Sequence, residues 1–299
     1  MITLKQINYT LSVSRNLHFK KAADECSVSP STLSNAVTEM ENQLGYEIFE
    51  RDNKRVLKTE LGKIFLESAQ SIKLQIDELE KLAHLKKEPL SHSLSLGIIP
   101  TIGPYLLPVV LPAIKKEYPL LNLTIIEGQS EVLVDKVKRG EIDTAILALP
   151  FELDGLLPFK FWEEDFFWIS HKESKHALKK EISAKELEES ELMLLEEGHC
   201  LKDQALEACK LSSNSNLNIT ASSLTTLIQL VAGKMGSTLV PEMALEQLLA
   251  NNKLLSKAHL KETGPHREIA LIIRSTYNGL RDIELLKELF SKELKKKFK

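Results

Sequence analysis

Three observations predict an α/β chain with an all-helical head. Residues 1 to about 60 carry apolar side chains at helical spacing, then a short basic hairpin. Phe65, Ala69, Ile72, Ile76, Leu79 and Ala83 recur at alternating spacings of four and three. From Leu94 onward short apolar runs alternate with amphipathic stretches, and a β-α-β-α-β order implies a parallel, doubly wound sheet.

At 299 residues the chain has room for two domains. It is 43% hydrophobic and 27% charged, which supports a sizeable core and excludes a disordered chain. A net charge of −3 gives no global attraction to nucleic acid, so any DNA contact must come from local clusters. Three cysteines do not make a secreted disulfide framework. Met1-Ile2-Thr3-Leu4-Lys5 does not open a signal peptide, and no run of about 18 apolar residues occurs. The expectation is a cytoplasmic protein without membrane contact, whose thiols rest reduced.

In the head, Leu4, Ile7, Leu11 and Val13 begin one amphipathic segment, and Phe19, Ala22, Ala23 and Cys26 share a face of the next. A Ser27-Val28-Ser29 turn follows, with Ser29 suited to an N-cap and Pro30 to a first helical position. In the helix that opens there, Leu33, Val37 and Met40 face inward, while Ser31, Thr32, Ser34, Asn35 and Thr38 form a small, hydrogen-bonding outer face. This is the pattern of a helix-turn-helix whose second helix enters a major groove. Residues 48–59 read as a wing carrying Arg51, Lys54, Arg55 and Lys58, suited to phosphates, and Lys20 and Lys21 add a second basic cluster. The domain limits expected are 1–59 for this winged head, 60–88 for a long helix pairing with a copy of itself, and 89–299 for the α/β remainder.

In that remainder, apolar runs at Leu94–Ile99, Asn122–Glu127, Asp143–Leu149, Phe166–Ile169, Leu192–Leu195, Leu217–Thr220, Ser237–Val240 and Ile269–Ile273 predict strands. Helices are expected from near Tyr105, from Gln129-Ser130 to Gly140, over Leu224–Val231 and over Leu280–Lys297. Thr101, Ser130 and Cys200 all fall just after strand ends, where open α/β sheets gather ligands. Gly198-His199-Cys200 leads into a stretch of helix formers holding a second cysteine, Cys209. Nine helical residues at about 1.5 Å each put the two Cα atoms roughly 13 Å apart, whereas a disulfide needs about 4.4–6.8 Å. The residues alone fit either two buried thiols or a pair that joins only when the helix unwinds. A helix start beside His199 and Lys202 favours a Cys200 thiolate, while Glu196, Glu197 and Asp203 oppose it. No histidine spacing suggests a metal site.

These residues resemble a known family. Phe19-Lys20-Lys21-Ala22-Ala23, Leu33-Ser34 and Leu44-Gly45-Tyr46-Glu47-Ile48-Phe49-Glu50-Arg51 are similar to the helix-turn-helix of LysR-type transcriptional regulators. The rest resembles that family's two-lobed, periplasmic-binding-protein-like regulatory domain. Ile99-Pro100-Thr101-Ile102-Gly103-Pro104-Tyr105-Leu106-Leu107-Pro108, and Gly198–Ala205 with Cys209, resemble its hydrogen-peroxide sensors. The resemblance implies a redox-active Cys200 that forms a disulfide with Cys209, and peroxide binding by Thr101, Ser130, His199 and Cys200. It also implies support from Lys202, Asp203 and Arg267. Ser130 stands where threonine is usual, Lys202 where arginine is usual, and Pro30 where a glutamine is usual. The expected partners are double-stranded promoter DNA, RNA polymerase, hydrogen peroxide, a glutaredoxin- or thioredoxin-type reductant, and further copies of the chain as a dimer or tetramer. No cofactor, no metal and no enzymatic turnover are expected. The alternatives are a LysR-type regulator with a small organic inducer and incidental cysteines, or a thiol peroxidase, which would have no use for a helix-turn-helix.

Overall fold

In the computed structural model, residues 1–52, 55–85, 88–188, 191–209, 220–250 and 252–298 are described. The chain divides into two compact units, Met1–Lys86 and Lys87–Lys299.

The first unit opens with α1 (Leu4–Asn16), whose N-cap Thr3 exchanges hydrogen bonds with Gln6. Next come α2 (Phe19–Glu25) and α3 (Pro30–Leu44), the latter capped by the Ser29 hydroxyl, which accepts the Thr32 N–H at 3.1 Å. β1 (Phe49–Asp52) pairs antiparallel with β2 (Arg55–Lys58), giving the expected wing, and α4 (Glu60–Leu85) follows. Val13, Ala22, Ala23, Leu33, Val37, Met40 and Ile48 are fully buried between these elements. The seam on α4 divides. Ala69, with its neighbour Leu66, packs into this core, whereas Ile72 and Leu79 are 43% and 64% exposed.

One buried carboxylate ties helix to wing. Glu41 accepts the Ile48 and Phe49 N–H groups at 2.9 and 3.1 Å and pairs with Arg51 at 2.5 Å. It thus receives the backbone donors that lead into β1 before any strand partner is available.

The second unit contains two lobes. The first is built from β3 (Ser93–Ile98), α5 (Gly103–Glu117), β4 (Asn122–Glu127), α6 (Ser130–Lys138), β5 (Thr144–Leu149) and β6 (Leu157–Glu164). The chain then enters the second lobe with β7 (Phe166–His171), β8 (Glu181–Ile182), α7 (Ala184–Glu188), β9 (Leu192–Leu195) and α8 (Cys200–Cys209). That lobe continues through β10 (Thr220–Ala221), α9 (Leu224–Ala232), β11 (Ser237–Pro241), a 3-10 turn at Glu242–Ala244, α10 (Leu245–Leu249) and β12 (Leu255–Leu260). β13 (Arg267–Ile273) returns to the first lobe and α11 (Leu280–Phe298) packs on α5 and β6. The strand orders are β4-β3-β5-β13-β6 and β10-β9-β11-β7-β12-β8.

Both sheets are mixed, which corrects the parallel sheet expected. β3, β4 and β5 are parallel, but β13 runs antiparallel to both β5 and β6, and β7 antiparallel to β11 and β12. The reason is the double crossing between lobes. A strand that returns from the other lobe enters its sheet from the opposite end. β6 and β12 escape the apolar-run criterion because each has one wet face, with buried positions interrupted by exposed ones. Of the strand expected at Leu217–Thr220, residues 217–219 lie outside the described residues. Most of the core of this unit is aliphatic and fully buried, with Ile146, Leu147, Ile269, Leu271 and Ile272 at its centre.

Glu41→Ala should lower the stability of the chain by about 2 kcal/mol or more, since charge-assisted hydrogen bonds to two backbone donors are lost. Urea denaturation of the two proteins measures this.

Candidate redox site

Cys200 sits where the two lobes meet. β9 ends at Leu195, the chain turns through Gly198 at φ +90°, and His199 directly precedes α8, its carbonyl accepting the Lys202 N–H at 3.0 Å. The turn is tight on its outer side. A Cβ at position 198 would lie 2.8 Å from the Gln129 amide, so only glycine allows that side chain to rest on the loop.

The first lobe supplies the groups around the sulfur. Ser130 is the first residue of α6, 2% exposed, and its hydroxyl, like the Ala148 N–H in β5, favours the charged form of the Cys200 sulfur. That amide is available because β3 ends at Ile98, which pairs with Ile146. Thr101, which follows β3, is 3% exposed. Its hydroxyl accepts from Arg267 Nη1 at 3.4 Å and its carbonyl from Nη2 at 3.3 Å. Arg267, 1% exposed, pairs with Glu164 through Nε at 2.7 Å and Nη2 at 2.6 Å. The second Glu164 oxygen accepts the Met243 N–H of the second lobe at 2.7 Å.

Burial pushes the Cys200 thiol up, opposed by the Ser130 hydroxyl, the Arg267 charge and the Ala148 amide. The sequence leaves the balance open between the helix start with its neighbouring cations and the nearby acids; in the fold, desolvation is the largest influence and raises the thiol. Burial also pushes Tyr105 up to about 12, against the pull of Arg267. At the other end of α8, Cys209 is pushed up to about 12 by burial and by the Glu262 carboxylate. Glu262 accepts the Ala184 N–H at 2.7 Å with one oxygen, and the other is buried without a partner among the described residues.

All three cysteines are free. α8 runs unbroken from Cys200 to Cys209, so the sulfurs stand at opposite ends of a ten-residue helix, the separation that its spacing predicts. The structure thus brings Thr101, Ser130, Cys200 and Arg267 together and places His199, 8% exposed, beside them in sequence. Lys202 turns toward Glu197 at 3.5 Å, and Asp203 is exposed.

Sequence reasoning missed Glu164, Gln129 and Gln204. Glu164 lies in the run Glu163-Glu164-Asp165, which reads as a solvated turn. Its only signal is its place between two apolar strands. Gln204 is 3% exposed, one helical turn from Cys200 on the same face, with neither amide atom partnered among the described residues.

In the head, Lys20, Lys21, Ser31, Thr32, Asn35, Thr38 and Arg55 are exposed, as a DNA-facing surface requires. Ser34 is half-buried against Arg51 at 3.3 Å. Arg51 is held by Glu41 and lies 4.6 Å over the Phe19 ring, so it braces the wing against α2 and α3. Lys54 lies outside the described residues. Cys26 is half-buried and packs against the core of the head.

A winged helix-turn-helix head followed along the chain by a two-lobed α/β unit is the domain order of a class of bacterial transcriptional regulators. Residues 4–63 match the bacterial regulatory helix-turn-helix protein, lysR family, and residues 87–295 match the LysR substrate binding domain. The chain belongs to the LysR family of DNA-binding transcriptional regulators, which are not enzymes. It is 39% identical to the HTH-type transcriptional regulator EstR of Acinetobacter baylyi, over 92% of this chain and 91% of that one. It is 30% identical to the DNA-binding transcriptional dual regulator OxyR of Escherichia coli, over 91% and 90%. Among solved structures it is similar to full-length OxyR from Pseudomonas aeruginosa, with a TM-score of 0.81, 31% identity, and coverage of 97% of this chain and 95% of that one. Within its family the chain is OxyR-like.

Two outcomes follow. Glu164→Leu leaves the Arg267 charge buried and unpaired and should cost about 3–5 kcal/mol, measured by urea denaturation. Below pH 9 both folded and unfolded chains keep the Cys209 proton, and from there to about 12 only the folded chain does. Stability therefore falls as pH rises through that window. Cys209→Ala should make this alkaline loss shallower, read from urea midpoints across the range.

Proposed function

We propose that this LysR-family regulator senses hydrogen peroxide through Cys200 and Cys209 and transmits the signal to promoter DNA. The observation that carries this reading is a buried free cysteine at each end of one helix, the first of them beside polar groups that favour its charged form: the Ser130 hydroxyl, the Arg267 charge and the Ala148 N–H. Those groups offset part of the desolvation cost of a thiolate and are placed to orient an incoming oxygen. Thr101 and His199 complete the peroxide site.

The Cys200 thiolate attacks one peroxide oxygen, the O–O bond breaks, and hydroxide leaves and is protonated to water. Cys200 becomes a sulfenic acid. Cys209 then attacks that sulfur, its proton and the sulfenic hydroxyl depart together as water, and a disulfide forms. The second step requires α8 to unwind, because the Cα atoms start roughly 13 Å apart. Until then burial and Glu262 hold the Cys209 thiol protonated and unreactive. A glutaredoxin- or thioredoxin-type thiol resets the pair.

Unwinding next to the lobe junction re-docks regulatory units in a dimer or tetramer and shifts how the heads lie on their site. There Lys20, Lys21 and Arg55 take phosphates, while Ser31, Thr32, Asn35 and Thr38 approach base edges. The exposed Ile72 and Leu79 on α4 are available to a second copy. RNA polymerase reads the shift, in the cytoplasm.

A second reading is a regulator triggered by a small organic molecule. It is favoured by the 39% identity to a relative whose name carries no peroxide role.

DNA footprinting of the full chain with and without peroxide tests the first reading. The footprint should change in the natural chain and stay fixed in Cys200→Ser. A footprint indifferent to peroxide in both rejects it.

A further inference from the structure

The two crossings between the lobes pass side by side. β6 leads out of the first lobe through Asp165 into β7, and β12 leads back through residues 261–266 into β13. His266, the last residue before β13, stands between them. Its N–H donates to the Glu164 carbonyl at 3.1 Å, and its side chain is 2% exposed. Its ring stacks on that of Phe166, the first residue of β7, with centroids 5.6 Å apart.

The contacts of this ring conflict. Nε2 lies 3.0 Å from the Glu262 carbonyl, which can only accept, so Nε2 carries a proton. Nδ1 meets two groups of opposite demand. The Phe166 N–H, at 3.0 Å, needs an acceptor, while Asp165 Oδ1, at 3.2 Å, needs a donor. A ring nitrogen accepts when bare and donates when protonated, never both. The neutral ring satisfies Phe166 and sets a lone pair against the carboxylate. The charged ring satisfies Asp165 and takes the acceptor from the N–H of a fully buried residue.

The neighbouring charges leave Asp165 as the carboxylate that answers this ring. Glu164 is bound to Arg267 at 2.6 Å, and the Glu262 carboxylate accepts the Ala184 N–H. Burial pushes the Glu242 carboxyl up, helped by the Glu164 and Asp165 charges and opposed by His259 and Lys257. The other Asp165 oxygen meets His259 Nε2 at 2.9 Å, and the His259 ring lies 6.4 Å from that of His266. The return crossing is shaped around the same carboxylate. A Cβ at Gly264 would lie 1.9 Å from Asp165 Oδ1.

We propose that His266 is a proton-operated latch at the lobe crossing. Neutral, it holds the start of β7; protonated, it releases the Phe166 N–H and binds Asp165 instead. Arg267 follows it directly and places its charge near Cys200, so the latch makes pH a second input to the redox site. That last link rests on the peroxide reading; the latch itself does not.

NMR of the reduced full chain, labelled with 15N at histidine and phenylalanine and followed without peroxide from about pH 8 to about pH 5, tests the latch. At the alkaline end the His266 proton should sit on Nε2 alone. On acidification the Phe166 amide should move in step with the His266 ring as its hydrogen bond is lost. His266→Asn keeps an acceptor near the Nδ1 position, cannot take up the proton and retains His259, so the Phe166 amide should stay still. Asp165→Asn, at a partly exposed site, removes the carboxylate that rewards protonation and should also hold the amide still. A Phe166 amide that ignores acid in the natural chain, or that still moves in both variants, would overturn the latch. Iodoacetamide labelling of Cys200 tests the link. A positive charge beside Arg267 favours the thiolate, so at the acid end the natural chain should react about threefold faster than His266→Asn, and at the alkaline end equally fast. Equal rates at both ends would overturn the coupling to the redox site.

Discussion

A ten-residue helix fixes the distance between two sulfurs, and the chemistry proposed for the regulatory unit depends on that distance. α8 starts at Cys200 and ends at Cys209, both buried and both free. While the helix stands, no rotation of either side chain closes the gap, because the backbone rise alone exceeds disulfide reach. Reactivity is thereby tied to backbone conformation. A chain that oxidises at this pair must change shape, and the change falls where the lobes meet.

The same junction is held by one buried charge. Arg267 begins β13 after the chain has returned from the second lobe, and it reaches the Thr101 hydroxyl and carbonyl on the first. Glu164 balances it and also holds the Met243 N–H, so one carboxylate touches both lobes. An ion pair so fully desolvated contributes little net stability over a hydrophobic substitute, so what it supplies here is position. It delivers a positive charge beside Cys200 without exposing it to water, and it anchors the loop that carries Thr101.

Much of this was legible in the residues. The Ser29-Pro30 start of α3, the alternation of strand and helix from Leu94 to Leu149, and the placement of Thr101, Ser130 and Cys200 after strand ends are local signals, and local signals survive without tertiary context. Arg267 was legible only through family resemblance. The mixed sheets were not, since the direction of β13 depends on a return from the other lobe, some hundred residues after β6 left the first. Glu164 looked like one acid among three in a turn, and only its distant partners distinguish it. The balance of influences on Cys200 is open in the sequence for the same reason. Sequence shows the nearby charges and the helix start, but not the depth of burial that opposes them.

Hydrogen exchange of the α8 amides, followed through a peroxide titration alongside mass spectrometry of the cysteines, reaches the central claim most directly. The account predicts that Leu201–Cys209 are protected in the reduced chain and lose protection in step with a Cys200–Cys209 linkage. A linkage formed with α8 still protected, or protection lost without any linkage, would contradict it.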